Sequence, residues 1–350
     1  MIPTLSTPAL VVDLDVFEAN VSAMSGLLRG TGKKVRPHVK AHRTPELAKR
    51  QLGEVAAGVT CATVGEAEVM VAAGIGDVLI ANEVVDAAKL ARIVDLAHHA
   101  TIGIAADDPE PVKALSRAAA LAGVMVGVLI EVDILLHRCG VSSILEAIAL
   151  ARTIESAPGV RLAGVMGYEG RVRLGTEQRD ERIAGAYRTL SETRAALLDA
   201  GFPVEVVSAA GTSTLREAIA DPSITEVQAG VYALMEPELL VMDHPFRCAV
   251  TVRGTVISRH PDRFVADVGR RVVGVEYGPP VPVGLDAAHI SLSDEHATVT
   301  MAGTPPPLGS LVDFIPGQIR TTFNLHDRVW VSRQGEIVGC WPVSARGGSQ

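Results

Sequence analysis

The sequence predicts an α/β protein in which a (β/α)8 barrel is followed by a smaller β domain. Three observations predict it. Between residues 34 and 235 a short apolar run followed by an amphipathic stretch recurs, and eight such runs can be counted. The runs are near-continuously apolar, as strands buried on both faces of a parallel sheet are. After residue 246 the strand-like runs follow one another with no helices between them. Eight strand–helix units in about 200 residues is the count of a closed parallel barrel. An open, doubly wound sheet is the competing arrangement of the same alternation.

The apolar runs lie at 34–39, 59–64, 77–82, 101–106, 124–133, 160–168, 205–210 and 226–235, with VMVGVLIEVD at 124–133 the clearest. Segments of helical periodicity lie between them, among them 44–57, 86–99, 110–122, 143–156, 176–200 and 213–220. Pro, Gly, Asp and Ser punctuate the joins, as at Asp108-Pro109 and Pro158-Gly159. The later strands are expected at 248–258, 263–267, 297–301, 310–315 and 328–340. Segment 9–13 precedes the first helix without a barrel partner and is assigned to the β domain. The expected division is therefore a barrel over 14–245 and a β domain built from 1–13 plus 246–350.

Composition narrows the class. The 350 residues are 48% hydrophobic and 21% charged, enough apolar material for a large core, and aromatics are only 3%. The net charge is −8 with no long Lys/Arg run, which argues against a nucleic-acid partner. Cys61, Cys139, Cys248 and Cys340 form no CxxC pair, so neither a disulfide framework nor a zinc ribbon is expected. No apolar run reaches the roughly 18–20 residues of a membrane helix, and the N-terminus has no signal-peptide pattern. A soluble, cytoplasmic protein with a small-molecule substrate is the expectation.

In a parallel barrel the active site lies at the C-terminal strand ends, where the βα loops gather. The first strand ends Arg36-Pro37-His38-Val39-Lys40-Ala41-His42. A lysine there, beside other cations, has the lowered pKa of a good nucleophile toward an aldehyde, although any single lysine is more often a solvated loop residue. The seventh strand runs into Ser208-Ala209-Ala210-Gly211-Thr212-Ser213-Thr214, small residues opening a helix and therefore suited to an anion. The eighth brings Gln228-Ala229-Gly230-Val231-Tyr232 beside it, and the loops after strands 7 and 8 hold phosphate in many barrels. Arg138 after the fifth strand and Tyr168 at the end of the sixth are candidates to contact a cofactor's phenolic oxygen and ring. Either also reads as structural, a surface ion pair being the plain alternative for Arg138.

Together RPHVKAH, EVD…RCGV, GYEG, SAAGTST, EVQAGVY, SDEH and the closing VGCWPV…RG resemble the D-threonine aldolase / D-serine dehydratase family of alanine racemase-like (fold type III) enzymes. The resemblance covers nearly the whole chain in matching order. It implies pyridoxal 5′-phosphate as cofactor, a barrel with a C-terminal β domain, and a homodimer with the site near the subunit interface. Carried across, Lys40 matches the Schiff-base lysine and Arg138 the arginine near the cofactor. Tyr168 matches the tyrosine of a Y-x-G-H motif, and Gly211, Thr212 and Ser213 match the phosphate loop. His38, Ser208, Gln228, Gly230 and Tyr232 complete the expected cofactor contacts, with Gln228 a candidate for the pyridine nitrogen.

Two departures bear on the reaction. Family members bind a divalent metal through H-x-D or H-x-C after a Pro-x pair, whereas this chain reads Pro316-Gly317-Gln318-Ile319-Arg320. A guanidinium cannot ligate a cation and repels one, which argues against a divalent metal there; His326 and Asp327 are the candidates for a shifted site. Arg171 replaces the histidine of Y-x-G-H and, staying protonated, cannot be a general base near neutral pH. Ile134-Leu135-Leu136 replaces a Gly-Met type stretch, and Ala209-Ala210 replaces a Gly pair. The physical consequence is a charge substitution in which Arg320 and Arg171 hold an anionic substrate group; the plain alternative pairs them with Asp327 or Glu169.

Three functions follow: a metal-free lyase (aldolase or dehydratase type) acting on a D-configured β-hydroxy amino acid or a relative, an amino-acid racemase or epimerase, and a low-turnover cofactor-binding protein. Lys40, Arg138, Tyr168, Arg171 and Arg320 are the candidate catalytic residues of the first. A racemase needs a second base, for which His38, His42 and His137 are candidates.

Overall fold

The computed structural model describes residues 5–170, 172 and 175–350. The chain begins β1 (Ala9–Asp13), α1 (Leu14–Leu28), β2 (Lys34–Val35), α2 (Pro45–Gln51), β3 (Val59–Cys61), α3 (Val64–Ala72). It continues β4 (Asp77–Ile80), α4 (Ala87–Ala97), β5 (Thr101–Ala106), α5 (Pro109–Ala122), β6 (Val126–Glu131), α6 (Ile144–Glu155). Then come β7 (Val160–Met166), α7 (Arg179–Asp199), β8 (Val206–Ala209), α8 (Leu215–Ala220) and β9 (Glu226–Val227). The rest is β10 (Val250–Arg259), β11 (Arg263–Ala266), β12 (Val281–Pro282), β13 (Ala287–Leu292), β14 (Ala297–Met301) and β15 (Leu311–Ile315). After these come α9 (Ile319–Leu325), β16 (Arg328–Arg333) and β17 (Glu336–Pro342).

Strands β2 to β9 form one parallel sheet in the order β2-β9-β8-β7-β6-β5-β4-β3. Parallel bridges Val35↔Ala56 and His38↔Thr60 join its two ends, so the sheet closes on itself rather than remaining open. Closure fits the apolar runs: every residue of β6 is buried, as a strand covered on both faces must be. Leu79, Ala105, Leu129 and Met166 on four adjacent strands pack as one cluster. The helices start where short polar side chains accept their free N–H groups: Thr63 for α3, Asp86 for α4, Asp108 for α5 and Ser143 for α6. Several strands are shorter than their apolar runs, because the run continues into the turn beyond the last ladder bond; 226–235 contributes two strand residues, then the turn Val231–Ala233.

The second sheet is built as 13-14-11-10-1-16-17, with β15 paired to β10 and β12. β1 runs antiparallel to β10 and parallel to β16, so segment 9–13 joins this sheet as expected. The expected run 328–340 is a hairpin turning at Gln334-Gly335. One expectation is corrected: this region was expected to lack helices, yet α9 lies between β15 and β16. Of its first five residues, Ile319, Thr321, Thr322 and Phe323 are β-branched or aromatic and favour strand. Local capping overrides that preference, because Gln318 Oε1 accepts from Thr321 N–H at 3.1 Å and Ile319, Thr322 and Phe323 are buried.

Contacts group the chain into two compact units. One holds 25–40, 51–230 and 348–350; the other holds the N-terminal stretch through Met24, Ala41–Arg50 and Val231–Gly347. Among the described residues no helix is long and apolar enough to cross a membrane.

Candidate active site

Within the barrel unit, Lys40 lies half-buried in the turn Val39–Ala41 that follows β2. The chain leading to it is pinned on both sides. Thr60 N–H donates to Pro37 O at 2.9 Å, and a Cβ on Gly230 would collide with the His38 carbonyl oxygen and stand 3.0 Å from its Cβ. Glycine at 230 therefore lets the β9 end pass against the strand end that carries Lys40. Gly230→Ala is expected to lower stability by about 1–3 kcal/mol. Urea denaturation checks this, and an unchanged midpoint would contradict the close approach.

The end of β6 supplies Glu131, which is 3% exposed, and the following loop supplies Arg138. Arg138 Nη2 lies 3.5 Å from Glu131 Oε1, but the arginine side chain is 54% exposed, and a cation screened by water is a weak counter-charge. Burial, then the neighbouring Glu83 carboxylate, pushes the Glu131 carboxyl up to about 8, with Arg138 opposing only in part. At neutral pH the contact is thus between a guanidinium and a largely neutral acid. A carboxyl that titrates near 4.5 unfolded and about 8 folded binds its proton more tightly in the fold, so it makes stability fall as pH rises through that window. Glu131→Gln mimics the neutral acid and is expected to flatten this slope. It should match the parent near pH 4, below the unfolded value, and exceed it progressively as pH rises through the window, by about 1–3 kcal/mol near pH 9. Denaturation of chelator-treated protein at the two pH values checks it; parallel slopes would count against a neutral Glu131.

The loop around Arg138 is fixed locally. Asp133 accepts from His137 backbone N–H at 2.9 Å and lies 3.0 Å from its ring Nδ1. Burial opposes ionisation of Asp133, but these hydrogen bonds win and hold its carboxylate below the usual range. Ile134 and Leu136 pack against the turn after β7: a Cβ on Gly167 would lie 3.0 Å from Ile134 Cδ1, and one on Gly170 3.0 Å from Leu136 Cδ1. The apolar Ile134-Leu135-Leu136 stretch thus walls the Gly167–Gly170 turn.

Tyr168 and the β8 loop meet. A Cβ on Gly211 would touch Tyr168 at 3.6 Å (Cε2) and 3.7 Å (Oη), so the missing side chain leaves room beside the ring. Glu169, 2% exposed, accepts from the Thr214 hydroxyl and from the backbone of Ala210 and Gly211. Burial still raises its pKa against those bonds. Ala210 takes the left-handed conformation (φ 67°), the region that favours the glycine it replaces. Thr212 and Ser213 follow, 8% and 6% exposed, in a turn fastened by Arg179, which donates to Ser213 O at 2.7 Å and pairs with Glu217 at 2.5 Å.

Gln228 and Ser208 form a chain: Gln228 Nε2 donates to Ser208 Oγ (3.0 Å), which donates to Glu226 Oε1 (2.7 Å), whose Oε2 accepts from Arg36 Nε (2.9 Å). Ser208 is fully enclosed, and its hydroxyl proton is spent on Glu226. The Gln228 amide nitrogen is accordingly held by the barrel framework. Arg171 lies outside the described residues.

In the other unit, Tyr232 is fully buried with its ring 5.5 Å from that of Phe246. Gln318 spends its amide oxygen on the N-terminus of α9. Arg320 donates to the Tyr277 hydroxyl at 2.7 Å and approaches the buried Glu236 to 4.0 Å. The carboxylates named as its alternatives are engaged elsewhere: Asp327 pairs with Arg346 at 2.7 Å and Glu169 accepts from Thr214. His326 Nε2 bonds Val272 O at 2.8 Å, and burial lowers its pKa toward the neutral ring. His42 is fully buried, its Nδ1 accepting from Thr44 N–H at 3.1 Å.

The donor set in the barrel unit fits a phosphorylated aldehyde cofactor. Lys40 offers the amine, the open space at Gly211 lies beside the Tyr168 ring, and the buried Thr212 and Ser213 hydroxyls lie in the turn that follows. Two acidic residues at strand ends, Glu83 after β4 and Asp107 after β5, were not singled out from sequence. The signal was available, since both are polar residues immediately beyond apolar runs at the end of the barrel where sites form.

Comparison with known proteins identifies the family. Residues 12–237 match the profile of the alanine racemase N-terminal domain, and residues 249–332 that of a putative serine dehydratase domain. The chain is 37% identical to a D-threonine aldolase of Arthrobacter sp. over 99% of its own length and 94% of that protein's. It is 31% identical to a 3-hydroxy-D-aspartate aldolase of Paracoccus denitrificans, covering 98% and 92%. The crystal structure of D-threonine aldolase from Filomicrobium marinum superimposes with a TM-score of 0.94 at 36% identity, covering 98% of this chain and 96% of that one. The chain therefore belongs to the D-threonine aldolase / D-serine dehydratase-like family of alanine racemase-like enzymes and is a lyase of the D-threonine aldolase type.

Proposed function

We propose that the protein is a pyridoxal-phosphate-dependent lyase that cleaves a D-configured β-hydroxy amino acid without the family's divalent metal at positions 318 and 320. The observation that carries this reading is Lys40 in the turn after β2, together with the retained Tyr168 and the Gly211-Thr212-Ser213 loop whose Gly211 lies against it, in a chain so extensively similar to D-threonine aldolase. Bound there, the cofactor supplies an electron sink that weakens the bonds at the substrate's Cα. Lys40 holds it and carries a proton at Cα. Arg138 and Tyr168 position its ring, the Thr212 and Ser213 hydroxyls bind its phosphate, and His38 and Gly230 complete its surroundings. Ser208 and Gln228 brace this wall through Glu226 and Arg36.

Two features support independence from the metal. Gln318 uses its amide oxygen as a helix cap, and Arg320 puts a permanent cation where the family's second ligand stands. Arg320 is proposed to hold an anionic group on the substrate. The family relative acting on 3-hydroxy-D-aspartate makes an acidic side chain the first to try. A racemase needs a further base. His42 is enclosed and bonded to Thr44, and His137 to Asp133, which weakens that alternative. A homodimer in a reducing, cytoplasmic setting completes the proposal, and the four free cysteines are consistent with it.

Proton NMR in D2O tests the reading, using cofactor-loaded protein, a chelator, and D- and L-amino acids with β-hydroxy and acidic side chains. Glycine or a glycine derivative plus an aldehyde, or a keto acid plus ammonia, is expected from a D-substrate. Deuterium at Cα with loss of chirality and no new carbon product would overturn it in favour of a racemase. No change with any substrate would favour the low-turnover cofactor-binding protein.

A further inference from the structure

The C-terminal ends of β4, β5 and β6 carry a second cluster, made of residues other than 318 and 320. Glu83 stands three residues beyond β4, Asp107 directly beyond β5, Glu131 closes β6, and Cys139 lies in the loop that follows. The parallel register, with Ile80 opposite Ile104 and Ala106 opposite Ile130, brings these ends together. One ligand atom from each of Glu83, Asp107 and Cys139 lies within 4.8 Å of the other two. The loop is held in place for this. Asp107 accepts from Gly140 N–H at 2.9 Å, and Gly140, at φ 108°, comes so close to Val132 that a Cβ would lie 2.6 Å from its carbonyl carbon.

A second, independent observation points to a ligand. Glu131 is 3% exposed, and neither its Oε2 nor Glu83 Oε1 meets an N–H or hydroxyl donor among the described residues; the two carboxyl groups stand against each other, so a proton shared between them or a cation is needed to satisfy both. Both Glu83 and Cys139 interact with this buried carboxyl. Buried polar atoms normally find a partner, and an exception calls for a missing donor or ion. Arg138, half-exposed and 3.5 Å from the other oxygen, does not fill that place.

We propose that Glu83, Asp107 and Cys139, with Glu131 completing the set, bind one thiophilic divalent cation of the zinc type. The donor chemistry selects the class. Ca2+ and Mg2+ take oxygen ligands alone, whereas Zn2+ accepts a thiolate together with carboxylates. Ligand atoms around tetrahedral zinc stand about 3.4–3.8 Å apart, so closing from 4.8 Å takes side-chain rotation. A bound cation would tie three neighbouring strand ends to the loop carrying Arg138. The inference goes beyond the lyase reading, and cation binding is read without turnover, so each can fail without the other.

The test is direct titration of chelator-stripped, dialysed, cofactor-loaded protein, with Cd2+ followed by its thiolate charge-transfer absorption and Zn2+ followed by calorimetry. One cation per chain is expected. Cys139→Ser should abolish the Cd2+ band, Glu83→Gln should weaken Zn2+ binding at least about 10–100-fold, and Cys340→Ser should change neither. If circular dichroism shows Cys139→Ser to be misfolded, Glu83→Gln and Asp107→Asn decide. Absence of binding tighter than the millimolar range would overturn the proposal, as would binding that survives these substitutions unchanged.

Discussion

Lys40→Ala is expected to lower turnover of the cofactor-loaded protein by about 10^3–10^4-fold, the scale of losing a positioned proton-transfer group. The fold should survive. Lys40 is only half-buried, and the restraints on its neighbourhood, Thr60 to Pro37 and Gly230 to His38, are made by backbone and glycine. Lys40→Arg should be nearly as damaging, since a guanidinium keeps its proton at any working pH. Steady-state kinetics beside circular dichroism checks both. A folded variant keeping more than about a tenth of the activity would remove Lys40 from the chemistry.

Arg320→Ala is expected to lower kcat/KM for a substrate with an acidic side chain by about 10–100-fold, the worth of a hydrogen bond between charged groups. Its effect on a neutral β-hydroxy amino acid should be much smaller. Among the described residues the side chain's hydrogen bond goes to the Tyr277 hydroxyl, with Glu236 only at 4.0 Å, and an arginine carries five N–H donors. Comparing the two substrate classes separates recognition from folding damage, because uncovering the buried Glu236 would depress both alike. Unchanged activity across all substrates would sink the charge-substitution idea.

The barrel was legible because its strands are buried on both faces and carry their periodicity without interruption, β6 most plainly. The place of β1 followed from its lack of a partner in the repeat. Helix α9 was not legible: its composition favours strand, and its cap depends on a side-chain contact that periodicity does not register. At the site, Lys40, Tyr168 and the Gly211 loop were found by one rule, polar or small residues at strand ends. The same rule applied after β4 and β5 finds Glu83 and Asp107, which were not singled out from the sequence. What remained hidden was commitment. The engagement of Ser208 with Glu226, of His42 with Thr44 and of Gln318 with Thr321 depends on side-chain directions set by the fold.

Which amine carries the cofactor is read by chemical reduction. The cofactor-loaded protein is treated with borohydride, which fixes the cofactor's aldehyde carbon on whichever amine holds it, and then peptide-mapped by mass spectrometry. One pyridoxyl group per chain, on the peptide containing Lys40, is the predicted result. A pyridoxyl group on another lysine, or none on a protein shown to be folded and loaded, would contradict the account.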